Sequence, residues 1–294
     1  MATREPRATA APLVVIVGPT ASGKTALAIK LAKEVGGEII CADSRTIYKD
    51  MDIGTAKPSP KERQEVPHWG LDLVEPDVRF TAADFKVYAE VKIQEIRERG
   101  HVPFLVGGTG LYVDSVLFNY QFGPIGNESR RQELEILSVE ELQFYCAYNN
   151  VKLPENAKNK RYLIRAIEQK GTNHKRTYVP IENCIIVGIT TERDFLRERI
   201  HKRTEQLFED EVVNEAINLG EKYGWDNEAM TGNIYPIIHQ YLMGELSYAE
   251  MLEKFNTADW RLAKRQLTWF KRNPFISWHP LDEAYGYVKK QLAK

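Results

Sequence analysis

Gly18-Pro19-Thr20-Ala21-Ser22-Gly23-Lys24-Thr25 stands between the apolar run Leu13 to Val17 and an alanine-rich helical stretch. A glycine, four residues, then Gly-Lys-Thr is the spacing of a phosphate-binding loop between a buried strand and a helix. Gly18 permits the tight turn, the backbone N–H groups point inward at an anion, and the helix N-terminus adds positive dipole. Lys24 supplies a point charge and Thr25 a hydroxyl for magnesium. Ala26, Leu27, Ile29 and Leu31 carry the helix to Gly36-Gly37, and Glu38 to Ala42 reads as a second strand ending at Asp43. Strand, helix, strand implies a right-handed parallel crossover, and ligands of open parallel sheets lie at the carboxyl ends of the strands. Asp43 is therefore expected to face the site. The fold class is α/β, a P-loop NTPase-like parallel sheet flanked by helices.

Tyr48 to Pro76, with Gly54, Pro58, Pro60, Pro67 and Gly70 and little periodicity, is expected to be a long ordered loop or lid. Thr81 followed by Asp84 marks an N-cap, and apolar residues at helical spacing follow to Arg99-Gly100. Val102 to Val106 is the next buried strand and runs into Gly107-Gly108-Thr109-Gly110. Nucleotide-hydrolysing relatives of the loop usually carry a magnesium-holding aspartate at such a strand end. Glycines there disfavour ATPase chemistry and leave room for close backbone approach by a substrate.

From about Tyr120 the pattern changes. Gly123, Pro124 and Gly126 break the chain, charged helical segments run from Asn127 to Glu168, and strand character returns at Cys184 to Ile189. The expected division is a core in two pieces, 1–119 and 180–294, around a small helical insertion, 120–179. After Thr191 a helix carries Leu196, Ile200 and Leu207 on one stripe, with Arg203 in the same row. Such an arginine meets a carboxylate or a bound phosphate, or else snorkels from the stripe edge. Asn256 to Asn273 is helical, with Trp260, Ala263, Leu267 and Phe270 along one side and Arg261, Lys264, Arg265 and Lys271 along another. Phe275 to Trp278 is read as a last strand and Leu281 to Leu292 as a last helix.

A net charge of −1 does not by itself point to a polyanion. Its distribution says more: Lys158, Lys160, Arg161, Arg165, Lys170, Lys175 and Arg176 face only Glu168, and the Arg261 to Arg272 cluster is also basic. Two separated basic stretches fit a localised polyanion footprint, a solvated helix face being the alternative. No run of about 18 apolar residues is present, so no membrane span is expected. Met1 to Pro12, with Arg4 and Arg7, lacks the apolar region of a secretory signal. Cys41, Cys146 and Cys184 have neither disulfide nor metal-ligand spacing, which suits a reducing cytoplasm.

The phosphate loop, Asp43-Ser44, Asp52-Ile53-Gly54-Thr55-Ala56-Lys57-Pro58 and Leu105-Val106-Gly107-Gly108-Thr109-Gly110-Leu111-Tyr112 together resemble the tRNA dimethylallyltransferase family. Arg165-Ala166-Ile167-Glu168, Arg199-Ile200-His201-Lys202-Arg203, Gly244-Glu245 and Leu262-Ala263-Lys264-Arg265-Gln266-Leu267-Thr268-Trp269 extend the likeness over nearly the whole chain. The resemblance implies transfer of a dimethylallyl group from dimethylallyl pyrophosphate to N6 of the adenosine beside the anticodon. It implies Asp43 as the base and Arg203, Gly18, Thr20, Ala21, Ser22, Gly23, Lys24 and Thr25 around the pyrophosphate, with Mg2+ on Thr25. It also implies tRNA anticodon stem-loop contacts at Asp43, Ser44, Arg45, Thr46, Thr109, Arg130, Arg161 and Arg165, to which the basic residues Arg261, Lys264 and Arg265 add. The enzyme is expected to act as a monomer.

The sequence departs from the family at Thr46, where glutamine is common, at Tyr162 in place of an arginine, and at Ile234-Tyr235-Pro236-Ile237, where only the tyrosine of the usual segment survives. All three touch tRNA recognition. Competing readings are a phosphate-loop kinase, an isopentenyltransferase acting on free adenine nucleotides, and a noncatalytic RNA-binding module.

Overall fold

The computed structural model describes residues 10–123, 128–169, 176–209 and 211–294. Arg4, Arg7, Pro124, Gly126, Asn127, Lys170 and Lys175 lie outside them. In chain order the elements of the first half are β1 (Leu13–Val17), α1 (Lys24–Val35), β2 (Gly37–Cys41), α2 (Pro60–Glu65), β3 (His68–Trp69), α3 (Ala82–Glu98), β4 (Val102–Gly107) and α4 (Gly110–Leu117). Then come α5 (Glu128–Ile136), α6 (Val139–Tyr148) and α7 (Lys160–Glu168). The remainder is β5 (Cys184–Thr190), α8 (Arg193–Glu209), α9 (Val212–Tyr223), a 3-10 turn (Ala229–Thr231), α10 (Tyr235–Leu242), α11 (Tyr248–Phe270), β6 (Ser277–Pro280) and α12 (Leu281–Leu292).

Among the described residues the strands form one six-stranded sheet in the order β3-β2-β4-β1-β5-β6. All its pairings are parallel, with Val15 of β1 opposite both Leu105 of β4 and Ile186 of β5. β1 is buried from end to end because helices cover both faces, so its five residues are all apolar rather than alternating. Val14 and Ile16 meet Leu27, Ala28 and Leu31 of α1 and Ala284 and Val288 of α12 on one face. The chain order reverses on either side of β1, and the carboxyl ends of β1, β2 and β4 meet at that switch point.

Local chemistry sets the boundaries. Gly36 ends α1 in a left-handed conformation (φ 67°), its N–H returning to the carbonyl of Ala32. Thr81 and Asp84 close a reciprocal capping box at the start of α3. The stretch Tyr48 to Pro76 is more structured than a lid. Ser59 and Glu62 cap α2 with Pro60 in its first turn, β3 pairs His68 and Trp69 with Ile39 and Ile40, and Tyr48 bridges Val74. Elements of six and two residues are too short to show a hydrophobic period. The last strand lies at Ser277–Pro280 rather than Phe275 to Trp278, because Asn273 turns the chain by accepting the Phe275 N–H at 2.9 Å. The basic helix begins at Tyr248, behind a Ser247/Glu250 capping box.

The chain divides into two compact units. One contains the sheet, from the described residues before Leu117 together with Pro180–Lys294, and the other is Phe118–Val179. In the second, α5, α6 and α7 enclose Leu134, Leu142, Cys146, Leu163, Ile164 and Ile167. Its Glu168, with a buried side chain, receives Arg131 at 3.1 Å and Arg165 at 3.4 Å.

Candidate active site

The cradle is formed by the backbone that leaves β1. Ala21 (φ 59°) and Gly23 (φ 89°) both take left-handed conformations, which fold successive N–H groups toward a common centre. At Gly23 a side chain is excluded for a second reason, since a Cβ would lie 2.8 Å from Leu281 and 3.1 Å from the Arg199 guanidinium. Lys24 Nζ donates to the Pro19 carbonyl at 3.2 Å across the loop. Burial draws its pKa down to about 8, with Asp43 opposing that fall and Arg203 and Arg199 reinforcing it. Ser22 is 1% exposed and its hydroxyl has no hydrogen-bond partner among the described residues. A buried donor without an acceptor inside a cationic loop is suited to an anion. Thr25 stands in the first turn of α1.

Two arginines close the cradle from α8. Arg199 donates to the Ser22 carbonyl at 3.4 Å, and Arg203 donates to the Thr20 hydroxyl. Arg203 also faces the buried carboxylate of Asp259 on α11, at 3.6 Å. Of the two partners expected for an arginine on that stripe, the carboxylate is present. Gln266, two turns further along α11, accepts the Thr20 N–H through Oε1 at 2.7 Å. Thr20 is thus held by its backbone and by its side chain from two different helices.

Asp43 follows β2 and is half-buried, its Oδ1 accepting the Arg45 N–H at 2.8 Å. Beneath it Cys41 is buried, and burial with Asp43 nearby pushes its thiol up to about 12, so it forms an inert floor. Thr109 ties the ends of β2 and β4 together: its N–H reaches the Ala42 carbonyl at 3.2 Å, and its hydroxyl accepts the Ser44 N–H at 3.0 Å. The glycines at this strand end serve packing. A Cβ on Gly107 would lie 2.0 Å from the Ala42 carbonyl oxygen, one on Gly108 2.3 Å from Gln266 Nε2, and one on Gly110 2.2 Å from the Trp269 ring. The close approach expected of a substrate is made here by β2 and α11. Trp269 is itself fixed by donating to Asp114 Oδ2 at 2.7 Å.

The residues expected to contact tRNA are placed unevenly. The Arg45 guanidinium is engaged with the carbonyls of Glu228 (2.7 Å) and Ala229 (3.2 Å) and the Thr231 hydroxyl (3.2 Å), and so anchors the 3-10 turn. Thr46 is 5% exposed, with its hydroxyl closed off without a partner among the described residues. Arg261, Lys264 and Arg265 are exposed on α11. The adjoining Trp260, expected on the apolar side, is only half-buried, with the guanidinium of Arg197 4.7 Å from its ring centre. In the helical unit Arg130 donates to the Tyr145 hydroxyl at 2.9 Å, Arg165 leans on Glu168, and Arg161 is exposed at the start of α7.

Asp259 and Glu215 carry structure at the site without any local signal in the sequence, and Gln266, within the Leu262 to Trp269 motif, is assigned no role by that motif. Glu215, on α9, accepts the N–H groups of Asp52 (2.8 Å), Ile53 (2.7 Å) and Gly54 (2.9 Å) and the Tyr235 hydroxyl (2.8 Å). Tyr235, the residue of its segment that keeps to the family pattern, is therefore bound to the Asp52-Ile53-Gly54 turn. Gly54 has no room for a side chain, since a Cβ would be 2.7 Å from that same hydroxyl.

Comparison with known proteins identifies the family. A family model described as IPP transferase matches residues 46–273, and one described as isopentenyl transferase matches residues 11–72. The chain is 38% identical to a tRNA dimethylallyltransferase of a Thermoanaerobacter species, over 96% of each chain. It is 41% identical to one from Acetivibrio thermocellus, over 92% of each. Among solved structures, the tRNA isopentenylpyrophosphate transferase of Bacillus halodurans superposes with a TM-score of 0.74 at 35% identity, covering 96% of this chain and 97% of that one.

Proposed function

The chain belongs to the tRNA dimethylallyltransferase family, and from that premise we propose how its own residues carry the reaction. The enzyme transfers a dimethylallyl group from dimethylallyl diphosphate to N6 of the adenosine adjacent to the anticodon and releases diphosphate. The observation that carries the residue assignment is the meeting, at the ends of β1 and β2, of a cationic anion cradle with a carboxylate held in place by the Arg45 N–H.

The lone pair of N6 attacks C1 of the dimethylallyl group as the C1–O bond breaks. The bonding pair leaves with the diphosphate oxygen, and the proton lost from N6 passes to the Asp43 carboxylate. An exocyclic adenine amine is a weak nucleophile, so a carboxylate able to take its proton during attack lowers the barrier. Negative charge grows on the leaving oxygen. The loop N–H groups, the Ser22 hydroxyl, Lys24 and Arg203 stabilise it where it develops, because their positions are set before the reaction begins. No covalent enzyme intermediate is required.

Magnesium suits the donor set. Thr25, in the first turn of α1 directly after Lys24, would supply the hydroxyl ligand of such a loop. Mg2+ would be held there by few protein ligands, in keeping with an ion that retains several waters and binds substrate phosphates. When bound, it neutralises diphosphate charge.

For tRNA, the exposed Arg261, Lys264 and Arg265 are assigned to backbone phosphates, as are Arg130, Arg161 and Arg165 of the helical insertion, the tRNA-binding unit. Ser44 and Thr109, joined to each other beside Asp43, are assigned to the target nucleotide, with Arg45 supporting them and Thr46 acting from beneath the surface. The target adenosine leaves the anticodon-loop stack to reach the cradle, as bases do when an enzyme acts on their exocyclic groups. The protein acts as a monomer in the cytoplasm. The three free cysteines support the reducing compartment, and a cradle assembled within one unit supports the monomer.

The test is incubation with labelled dimethylallyl diphosphate, magnesium and a mixed tRNA pool, followed by nucleoside analysis. N6-dimethylallyladenosine is expected in the tRNA and none in added AMP. Its absence from tRNA, or phosphate transfer from ATP in its stead, overturns the proposal.

A further inference from the structure

Asp259 is 3% exposed and stands directly behind the arginine that closes the cradle. Its Oδ1 accepts from Asn233 Nδ2 at 3.1 Å, which fixes the plane of the carboxylate. Its Oδ2 lies 3.6 Å from Arg203 Nη1 yet has no hydrogen-bond partner among the described residues, and Arg203 Nε has none either. The two charges are held in electrostatic contact without either using its hydrogen-bonding capacity on the other. A half-buried guanidinium whose buried Nε is an unused donor can bind a second anion without first releasing the one it faces. Asp259, Ala263 and Gln266 follow one another at four and three residues, so they share a face of α11. Ala263 is fully buried against Leu196 and Ile200 of α8, which fixes the two helices where Arg203 and Asp259 meet.

We propose that Asp259 is a positioning residue. Its buried carboxylate orients Arg203 for the leaving group, and its negative charge limits how tightly the cradle retains the product diphosphate. The inference rests on the diphosphate-cradle reading above. Lys24, Arg199 and Arg203 attract a bound diphosphate, and Asp259 subtracts from the attraction at the arginine that binds it. The same carboxylate orients Arg203 before charge develops on the leaving oxygen, so catalysis gains while product affinity falls.

Inorganic diphosphate binding by calorimetry and steady-state tRNA prenylation separate the two effects in wild type, Asp259→Asn, Arg203→Gln and the double variant. Asparagine keeps the side-chain shape and the Oδ1 acceptor for Asn233 but removes the charge. Asp259→Asn is expected to bind diphosphate about tenfold more tightly, the scale of one nearby charge removed from a partly desolvated site. Its kcat is expected to fall about tenfold while KM for dimethylallyl diphosphate decreases. In the Arg203→Gln background the same change is expected to alter neither quantity by more than about twofold, because coupled residues do not add. Asp259→Glu, which keeps the charge, is expected to restore diphosphate affinity to near wild type. If Asp259→Asn is too unstable for kinetics, diphosphate is expected to raise its Tm by more than it raises that of wild type, since the ligand replaces the missing counter-charge. Unchanged or weaker diphosphate binding in Asp259→Asn, equal Tm gains, or additive effects with Arg203→Gln overturn the proposal. Wild-type protein that fails to prenylate tRNA refutes the function itself. Wild type that succeeds beside an unaltered Asp259→Asn refutes only the role of Asp259.

Discussion

Raising the pH probes the cradle without altering a residue. Burial disfavours the ammonium of Lys24 and draws its pKa down to about 8. A bound anion favours the charged lysine, so the complex keeps the proton to higher pH. Below about 8 the lysine is charged with or without ligand and affinity is flat; above it, binding must draw a proton onto Lys24. Affinity through the charged form then weakens by a factor of about 1.1 at pH 7 and about 11 at pH 9, a loss of about 1.4 kcal/mol between them. Stability without ligand moves the other way. An unfolded lysine titrates near ~10.4, so the folded state binds fewer protons between about 8 and that value, and the protein becomes more stable as pH rises through the window.

The assay is calorimetric titration with an alkyl diphosphate monoester, whose last ionisation, at about 6, is about nine-tenths complete at pH 7 and essentially complete from pH 8 upward. Buffers of different protonation enthalpy count the protons, with uptake of about one half at pH 8 and about nine tenths at pH 9 expected. Lys24→Arg, whose guanidinium stays charged, is expected to flatten the slope. A flat wild-type profile, or an undiminished slope in Lys24→Arg, refutes the assignment of Lys24 to the anion.

Asp43→Asn is expected to lower kcat by about 10²- to 10⁴-fold, with tRNA affinity by filter binding largely retained; a matched loss of binding would make Asp43 a recognition residue instead. Glu215→Ala removes a charged acceptor from three N–H groups and a hydroxyl. It is expected to cost about 2–4 kcal/mol and on the order of 4–8 °C in Tm by calorimetry. A change under about 1 °C would mean that the Asp52-Ile53-Gly54 turn does not depend on it. Gly107→Ala sets a methyl against immovable backbone at 2.0 Å, whereas in Gly108→Ala the obstacle at 2.3 Å is the end of the Gln266 side chain. Denaturant titration is therefore expected to find the first much less stable and the second nearly as stable as wild type. The second should bind the alkyl diphosphate differently, because Gln266 must leave Thr20. Equal stability loss in both contradicts the packing account.

Motifs whose partners are near in sequence were legible from the chain. The cradle, the Thr81 capping box and the end of α1 at Gly36 depend on turn geometry, helix dipole and backbone conformation within a few residues. The small elements between Tyr48 and Pro76 were not legible, since a two-residue strand owes its existence to pairing with β2 and not to its own pattern. The glycines after β4 were visible as glycines, but their reason was not: Ala42, Gln266 and Trp269 come from β2 and α11.

The sequence alone determined the phosphate loop, the parallel α/β core and the carboxylate at the end of β2, because each is encoded by spacing along one stretch of chain. It also placed Arg203 on an apolar helical stripe, where either an anion partner or a snorkelling guanidinium was open, because a helical stripe is a local property. Tertiary structure decided which anion meets it. Asp259 is 56 residues further along, and Glu215 lies far in sequence from the turn that it holds. Burial, charge pairing and the meeting of two helices choose such partners, and those interactions exist only once the sheet has brought α8 and α11 over the loop.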